Sequence, residues 1–178
     1  LAQSRRSALN YATAGPGTSS RLTVELLKLT AGIDPTAIHY KGGGPAMTAL
    51  LGGQVDLMVV TLGTVLPHLK AGKIIPLAVT SSARHPLLPD VPIISDYHAG
   101  FEAQSWVGML GPAGLPADLI SKIEGAVRSA IADPDVRERL QAQGYEIVAT
   151  TGGPFGQWLQ TEGARWGRVI REQRITLE

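Results

Sequence analysis

The sequence predicts an α/β protein with a parallel sheet. Three runs of strand length, residues 10–13, 37–40 and 55–60, are each followed by a glycine-rich turn and a helix-like segment. A fourth run at 74–80 continues the alternation of strand, turn and helix, which is typical of parallel strands joined by helices. The apolar run at 55–60 is of the kind that is buried on both faces of such a sheet.

The first unit organises the rest of the chain. A Gly/Pro-rich turn separates the strand at 10–13 from a helix that begins near Thr18 and ends at Gly32. Thr18, Ser19 and Ser20 are residue types whose side chains accept a hydrogen bond from a first-turn N–H group. The positive end of such a helix suits an anion, and glycines in the turn allow close approach of a ligand. A plain structural turn remains the alternative.

The turns after the first three strands predict a ligand cleft. They cover residues 14–19, 41–45 and 61–64 and are rich in Gly, Ser and Thr. Ligands of parallel α/β sheets bind at the carboxyl ends of the strands, where such turns meet. Three turns of this kind would line a cleft with N–H and hydroxyl donors. The alternative is that these glycines serve only the turns themselves.

The second half of the chain changes character. Residues 81–92 form a proline-rich loop without periodicity, and residues 104–111 are predicted to be a strand. Two helices follow over 116–144, interrupted at Asp133-Pro134. We then expect a short strand at 145–148 and a last helix from about Pro154 to Gln173.

Composition excludes several function classes. The 178 residues carry 16 basic and 15 acidic side chains, so no basic surplus points to nucleic acid. The absence of cysteine removes disulfides, thiolate metal sites and cysteine nucleophiles. No apolar run is long enough to span a membrane. The first residues do not look like a signal peptide or a native start, so we interpret the chain as beginning inside a longer protein.

Few side chains suggest reaction chemistry. Lys41 either pairs with a ligand carboxylate or is a solvated loop residue, and His39 is expected to pack beside Tyr40. Asp56 is expected to serve a turn. The other histidines lack metal-ligand spacing, and no nucleophile with a base or paired carboxylates is visible. We therefore expect no catalytic residue, no metal and no cofactor.

Ordered motifs run from about Ser7 to the end of the chain. They are Asn10-Tyr11-Ala12 with Gly17-Thr18-Ser19-Ser20, Tyr40-Lys41-Gly42-Gly43, Leu50-Leu51-Gly52-Gly53-Gln54-Val55-Asp56, Pro67-His68-Leu69-Lys70-Ala71-Gly72-Lys73, Leu77-Ala78-Val79-Thr80-Ser81, Leu88-Pro89-Asp90-Val91-Pro92, Trp106-Val107-Gly108, Gly111-Pro112-Ala113-Gly114 and Asp133-Pro134. With these motifs the chain resembles the substrate-binding receptors of tripartite tricarboxylate transporters, the TctC or Bug family.

The resemblance implies a fold and a division of the chain. Members are periplasmic, type II-like periplasmic binding proteins of Venus-flytrap shape, with two α/β lobes and a hinge. On that plan residues 1–112 form lobe two with the cleft turns. Residues 113–178 form the mostly helical return segment that belongs to lobe one. The first part of lobe one and the signal peptide are expected to be missing from this chain.

The resemblance also implies partners and a site. Such receptors capture a small carboxylate, pass it to membrane transporter subunits, and are neither enzymes nor nucleic-acid binders. Self-association is expected if part of lobe one is missing. The third turn is more apolar here than in many relatives, which implies a different ligand preference. The implied ligand-binding residues are Ala14, Gly15, Gly17, Thr18, Ser19, Lys41, Gly42, Gly43 and Thr61.

Two other function classes stay open on the residues alone. One is an α/β hydrolase or transferase that uses the same cleft for a carboxylated substrate. The other is a ligand-sensing regulatory module of flytrap type.

Overall fold

A three-stranded parallel sheet with the strand order β2-β1-β3 forms the centre of the molecule. The computed structural model describes residues 9–176. The strands are β1 (Asn10–Thr13), β2 (Thr36–His39) and β3 (Leu57–Met58). In register, Thr13 lies opposite His39 and Ala12 lies opposite Met58. The predicted α/β class and parallel sheet are confirmed.

Helices connect these strands and make up most of the C-terminal part. The first three helices each follow one strand, and a short 3-10 helix lies at Ile94–Asp96. The six α-helices are α1 (Ser19–Ala31), α2 (Gly43–Leu51), α3 (Leu62–Lys70), α4 (Ala117–Ala132), α5 (Pro134–Ala142) and α6 (Gly152–Glu172).

The core lies between β1 and the elements that cover it. Tyr11, Ala12 and Thr13 are fully buried. Ala12 packs in one cluster with Ala46 and Ala49 of α2 and with Val55. Small side chains at these contacts let the helix lie close to the sheet, so that few voids remain in the interior.

Helix α1 ends as the sequence predicts. Gly32 adopts the left-handed conformation (φ 62°), and its N–H group donates to the Lys28 carbonyl. Glycine is the residue type that takes this conformation without a Cβ penalty. The next two helices begin earlier than predicted, because α2 includes Gly43 to Pro45 and α3 includes Leu62 to Thr64. Proline fits the first turn of a helix, where its missing N–H group has no intrahelical partner.

The predicted strand at 74–80 is wrong in extent. Only Val79 pairs, in a single parallel bridge with Ile93, through hydrogen bonds to Pro92 and Ile94. Ile75 and Leu77 are 82% and 66% exposed. The run at 55–60 is also shorter than predicted, since only Leu57 and Met58 form β3 and both are half-buried. Strands form only where a neighbouring strand offers hydrogen-bond partners.

The predicted strands at 104–111 and 145–148 are not formed. Val107 is 85% exposed and Val148 is 73% exposed. The helices predicted in this part of the chain are confirmed as α4, α5 and α6. At the boundary between the first two, the Asp133 side chain accepts hydrogen bonds from the N–H groups of Asp135 (2.9 Å) and Val136 (3.1 Å).

Candidate functional site

The carboxyl ends of the three strands lie at one edge of the sheet, and the turns that follow them form the candidate site. The first two turns are joined directly. The N–H group of Tyr40 donates to the Thr13 carbonyl at 2.9 Å, and that of Gly42 donates to the Ala14 carbonyl at 3.2 Å. Because β1 is the central strand, the third turn lies on its other side, beside β3.

Thr18 closes the first turn. Its Oγ1 donates to the Gly15 carbonyl at 2.8 Å and lies 2.9 Å from the Ser20 hydroxyl. Gly15 has a positive φ of 139°, a conformation that other residues rarely adopt. Thr18 stands at the N-cap position of α1, but its side chain accepts no hydrogen bond from a helix N–H group. The predicted capping role of this hydroxyl is therefore wrong, and the hydroxyl donates within the turn instead.

The uncapped start of α1 leaves donors at the edge. Among residues 9–176, no acceptor contacts the backbone N–H groups of Ser19, Ser20 and Arg21. Free N–H groups and the helix dipole together favour an anion at this point. Ala14, Gly15 and Thr18 are half-buried around them, whereas Gly17 and Ser19 are exposed.

Ser105 also reaches this edge, which the sequence analysis did not predict. Its hydroxyl lies 3.0 Å from the Ser19 hydroxyl. Ser105 belongs to the extended segment that leads from the sheet towards α4. No local pattern could reveal this contact, because the two serines are 86 residues apart in sequence.

The second turn places Lys41, Gly42 and Gly43 beside the first. Lys41 is exposed and makes no ion pair with any residue between 9 and 176. Gly42 is the N-cap residue of α2 and has a positive φ of 105°. Because Gly43 is the first residue of α2, a second helix N-terminus lies at the same edge.

The third turn is less closely connected to the other two. Thr61 is exposed at the N-cap position of α3, and its hydroxyl lies 3.1 Å from that of Thr64. The start of α3 is covered from the other side by the end of α5. A Cβ atom on Gly63 would lie 2.8 Å from the Gln143 carbonyl oxygen, so that position has no room for a side chain.

His39 lies at this edge as well, and it is exposed where the sequence analysis expected it to pack. Its Nδ1 atom lies 2.7 Å from Oγ1 of the buried Thr13. Burial and the positive charge of Arg21 lower the pKa of His39, while the negative charge of Glu25 opposes that shift. These groups together disfavour the charged imidazolium form in the unliganded chain.

An ionic network around the buried Glu25 fixes α1 to the sheet behind the edge. The Tyr11 hydroxyl donates to Oε1 of Glu25 at 3.0 Å, and Lys28 lies between Glu25 (3.3 Å) and Asp34 (2.8 Å). Burial first, and then the charge of Glu25 and the hydrogen bond to it, raise the pKa of Tyr11 above its ordinary range. The Glu25 carboxylate is 5% exposed and is held by this network.

Arg21 was also missed in the sequence analysis. Its Nη1 donates to the Pro16 carbonyl at 3.4 Å and to the Thr176 carbonyl at 3.3 Å. Its buried Nε has no hydrogen-bond partner among residues 9–176, and Oε1 of Glu25 lies 3.9 Å away. A cation in the first turn of a helix opposes the dipole, and this unusual position is a signal that the sequence did carry.

Asp56 was expected to serve a turn, and the structure instead shows it linking the entries of two strands. Its Oδ2 accepts from the N–H group of Asn10 at 2.8 Å, and its own N–H group donates to Oδ1 of Asn10 at 3.0 Å. This reciprocal pair fixes the entry of β3 beside β1.

Within the described part of the chain, no three His, Cys, Asp or Glu side chains cluster to hold a metal ion. Likewise, no helix of residues 9–176 has the length and apolar character needed to cross a membrane.

Fold and edge together define an α/β protein with helix N-termini at the carboxyl ends of a parallel sheet, an arrangement that suits an anion. The sequence model of the tripartite tricarboxylate transporter family receptor matches residues 1–175. The chain therefore belongs to that family, and the predicted family resemblance is confirmed.

Curated relatives agree with this assignment. A UPF0065 protein of Pseudomonas sp., encoded in the tcbD-tcbE intergenic region, is 33% identical over 94% of this chain and 50% of its own length. A UPF0065 protein of Pseudomonas knackmussii, from the clcB-clcD intergenic region, is 30% identical over 91% of this chain and 97% of its own length. The chain spans about half the length of the first relatives that it matches.

Solved structures confirm the periplasmic-binding-protein fold. The R. palustris protein Rpa4515, solved with adipate, superposes on 96% of this chain with a TM-score of 0.87 and 30% identity. MatC from Rhodopseudomonas palustris, solved with bound malate, covers 94% of the chain with a TM-score of 0.83 and 34% identity. This chain covers 57% and 58% of those two proteins.

Proposed function

We propose that this chain holds a small carboxylate as part of an extracytoplasmic solute-binding receptor for a tripartite tricarboxylate-type transporter. One observation carries the proposal: the chain superposes closely on two proteins that were solved with adipate and malate. Both of those ligands are dicarboxylates. The edge described above offers donors of the kind that a carboxylate requires.

The proposed binding site is the edge formed by the three turns. In the first turn, the free N–H groups of α1 and the Ser19 hydroxyl would donate to one carboxylate group. In the second turn, Lys41 would add a positive charge, and the conformation of Gly42 would keep the backbone accessible. The full set is Ala14, Gly15, Gly17, Thr18, Ser19, Lys41, Gly42, Gly43 and Thr61. Hydrogen bonds to charged groups are stronger than neutral ones, which makes these donors the main source of affinity.

A matched pair of lysine substitutions tests this placement. Lys41→Ala and Lys73→Ala remove the same charge from exposed positions, but Lys73 lies beyond the far end of α3. Isothermal titration calorimetry with adipate and malate should show affinity reduced about three- to tenfold by Lys41→Ala. Lys73→Ala should leave the affinity unchanged. Equal effects of both substitutions would count against the second turn as a contact.

A receptor role is favoured over catalysis. Thr13 and His39 are the one described pair that resembles a nucleophile with its base, at 2.7 Å. However, Thr13 is fully buried, so its hydroxyl cannot reach a substrate carbonyl. An enzyme would instead be supported if the chain hydrolysed a carboxylate ester or amide and a single Ser or His substitution abolished that activity. The regulatory alternative would require a DNA-binding segment elsewhere in the reading frame.

A periplasmic location and delivery to membrane transporter subunits are part of the same proposal. Membership of a transporter receptor family supports the delivery, and similarity to the periplasmic binding protein BugD supports the location. Closure of two lobes over the ligand would present the loaded receptor to the transporter. Ligand-dependent binding to the purified transporter subunits, measured by surface plasmon resonance, is the direct test.

We propose the same two-lobe division as the sequence suggests, with residues 1–112 in one lobe and 113–178 returning to the other. Helix α4 supports this division because its apolar residues Leu119, Ile120, Ile123 and Val127 are each more than a third exposed. The extended residues 106–110 add Val107, Met109 and Leu110, all at least 68% exposed. We call these residues the complement face.

We propose that a second copy of the chain covers the complement face when the chain is alone. Exposed apolar surface of this extent is typical of an interface. A relative that matches over 97% of its own length shows that chains of this size occur in the family. Light scattering after gel filtration should show a dimer, and Val107→Lys with Leu110→Lys should produce monomers. A monomeric parent chain would contradict this part of the proposal.

A further inference from the structure

His39 is connected to the first turn through one buried hydroxyl. It ends β2 directly opposite Thr13, whose Oγ1 lies 2.7 Å from Nδ1 of the imidazole. The same oxygen lies 3.2 Å from both the N–H group and the carbonyl oxygen of Gly15. Thr13 is fully buried, so it holds the exposed ring in a fixed relation to the turn that precedes α1.

This hydroxyl has partners for both protonation states of the ring. With Nδ1 unprotonated, Thr13 donates to Nδ1 and accepts from the Gly15 N–H group. With Nδ1 protonated, the imidazolium donates to Thr13, and the hydroxyl turns to the Gly15 carbonyl. In the first of these arrangements the ring is neutral and carries its proton on Nε2. The ring therefore gains a proton without changing its orientation, and Nε2–H stays a donor.

The charges around His39 shift the balance between its neutral and its protonated imidazole. On α1, Arg21 lowers the pKa of His39 and Glu25 raises it, and burial lowers it further. Thr13 on β1 is uncharged, and the exposed cation Lys41 follows two residues later in the chain. A carboxylate at the start of α1 would add a negative charge to this balance and so favour the imidazolium form.

We propose that His39 tunes the carboxylate affinity of this edge with pH, through an imidazole that Thr13 orients towards the ligand. This inference rests on the proposed function, since it assigns His39 to the same carboxylate site. Protonation adds a positive charge close to the ligand, so affinity for a dicarboxylate rises as the pH falls. Because His39 is exposed to water, the attraction between the two charges is strongly screened, and the expected gain is about three- to tenfold.

The test compares adipate affinity at about pH 5.5 and about pH 8 by calorimetry on the whole chain. The variants are His39→Asn and, as a matched control, His68→Asn, which lies at the far end of α3. Adipate itself takes up protons in this range, but that contribution is common to every variant. The ratio of affinities at the two pH values should be about three- to tenfold larger in the parent and in His68→Asn than in His39→Asn.

The outcomes separate this inference from the function on which it rests. If the parent chain binds neither adipate nor malate at either pH, the proposed function fails, and the role of His39 fails with it. If binding occurs and His39→Asn keeps the full pH ratio, the role of His39 alone is overturned. NMR titration of the His39 ring in the unmodified chain gives a second measurement that needs no variant. Added adipate should move the pKa of His39 upwards, and an unchanged titration would contradict the proposal.

Discussion

Two regions of the molecule differ in how their residues are buried. The sheet region, residues 10–58, contains β1 to β3 with α1 and α2, and its residues Tyr11, Ala12, Thr13 and Ala46 are fully buried. The C-terminal region, residues 104–150, contains α4 and α5 and has no buried residue. The sheet region therefore contains most of the buried core, and α6 packs against its helix α1, whereas the apolar side chains of residues 104–150 stay exposed. This difference predicts where substitutions will destabilise the chain.

The largest effect is expected from a buried aromatic residue of the sheet region. Tyr11→Ala removes a fully buried ring and its hydrogen bond to Glu25, and should lower the free energy of unfolding by about 3–5 kcal/mol. Tyr145→Ala in the C-terminal region removes the same side chain from a position that is 44% exposed. It should cost about 1 kcal/mol or less. Urea denaturation measures both, and similar losses would contradict the division into two regions.

The same difference explains which elements could be predicted from the sequence. An α-helix satisfies its backbone hydrogen bonds within the segment, so α4 and α5 form although they bury little. A strand needs hydrogen bonds from another segment, and residues 104–111 have the apolar pattern of a strand but no described partner strand. The units β1–α1 and β2–α2 were predicted in type and order, although α2 begins earlier than predicted, because their partners lie next in the chain. Local pattern cannot show whether a distant partner is present.

The candidate site was predictable to a similar degree. Glycine-rich turns such as residues 14–18 and 41–42 are local features, and the structure joins them through hydrogen bonds. The contacts of Ser105 and His39 were not predictable, because they depend on residues 86 and 26 positions away. The role of the Thr18 hydroxyl was mistaken although its partner is local. A threonine at this position can accept from a first-turn N–H group or donate to the Gly15 carbonyl, and residue type does not decide between the two.

A buried carboxylate should be the next most sensitive position. Glu25→Gln removes the charge that Tyr11 and Lys28 both contact, and leaves the Lys28 ammonium with Asp34 alone. The expected loss of stability is about 1–3 kcal/mol, since hydrogen bonds to a buried charged group are costly to remove. In α6, Glu172→Gln breaks an exposed pair with Arg168 and should change the stability little, because solvent screens such a pair. Thermal unfolding compares the two variants, and equal shifts would mean that Glu25 is not held as the structure shows.

Alkaline pH should weaken the same network. The pKa of Tyr11 is raised in the folded chain by burial and by Glu25. For Lys28, burial lowers the pKa, but hydrogen bonds and charges from Asp34 and Glu25 raise it by more. The folded state thus holds protons that the unfolded state releases. The contribution of Tyr11 and Lys28 to the free energy of unfolding is fully present below about pH 10. Above that pH it falls, by up to about 1.4 kcal/mol per pH unit for each of the two side chains.

Tyrosine substitutions distinguish the contribution of Tyr11 to this alkaline loss. Tyr11→Phe should show a shallower fall in unfolding free energy above about pH 10, with the part due to Lys28 remaining. Tyr97→Phe removes a phenol that is 73% exposed, and should keep the slope of the parent chain. Urea titrations at a series of pH values measure these slopes. Parallel curves for Tyr11→Phe and the parent would show that Tyr11 does not hold its proton in the folded chain.

The smallest expected effect concerns helix capping, which differs between α5 of the C-terminal region and α1 of the sheet region. Asp133→Ala removes two hydrogen bonds to first-turn N–H groups of α5 and should cost about 1 kcal/mol. Asp133→Asn keeps an acceptor and should be nearly neutral, which separates the cap from the charge. Thr18→Ala should have less effect on its helix, because Thr18 caps no N–H group of α1. Hydrogen exchange of the first-turn amides of α5 and α1 measures each helix separately. A larger effect at Thr18 than at Asp133 would mean that its hydroxyl stabilises α1 after all.

The expected order has a physical reason: α1 is held by Val24 and Glu25 in the core, so its start is free to carry ligand donors. Helix α5 has no buried residue and therefore depends on its cap.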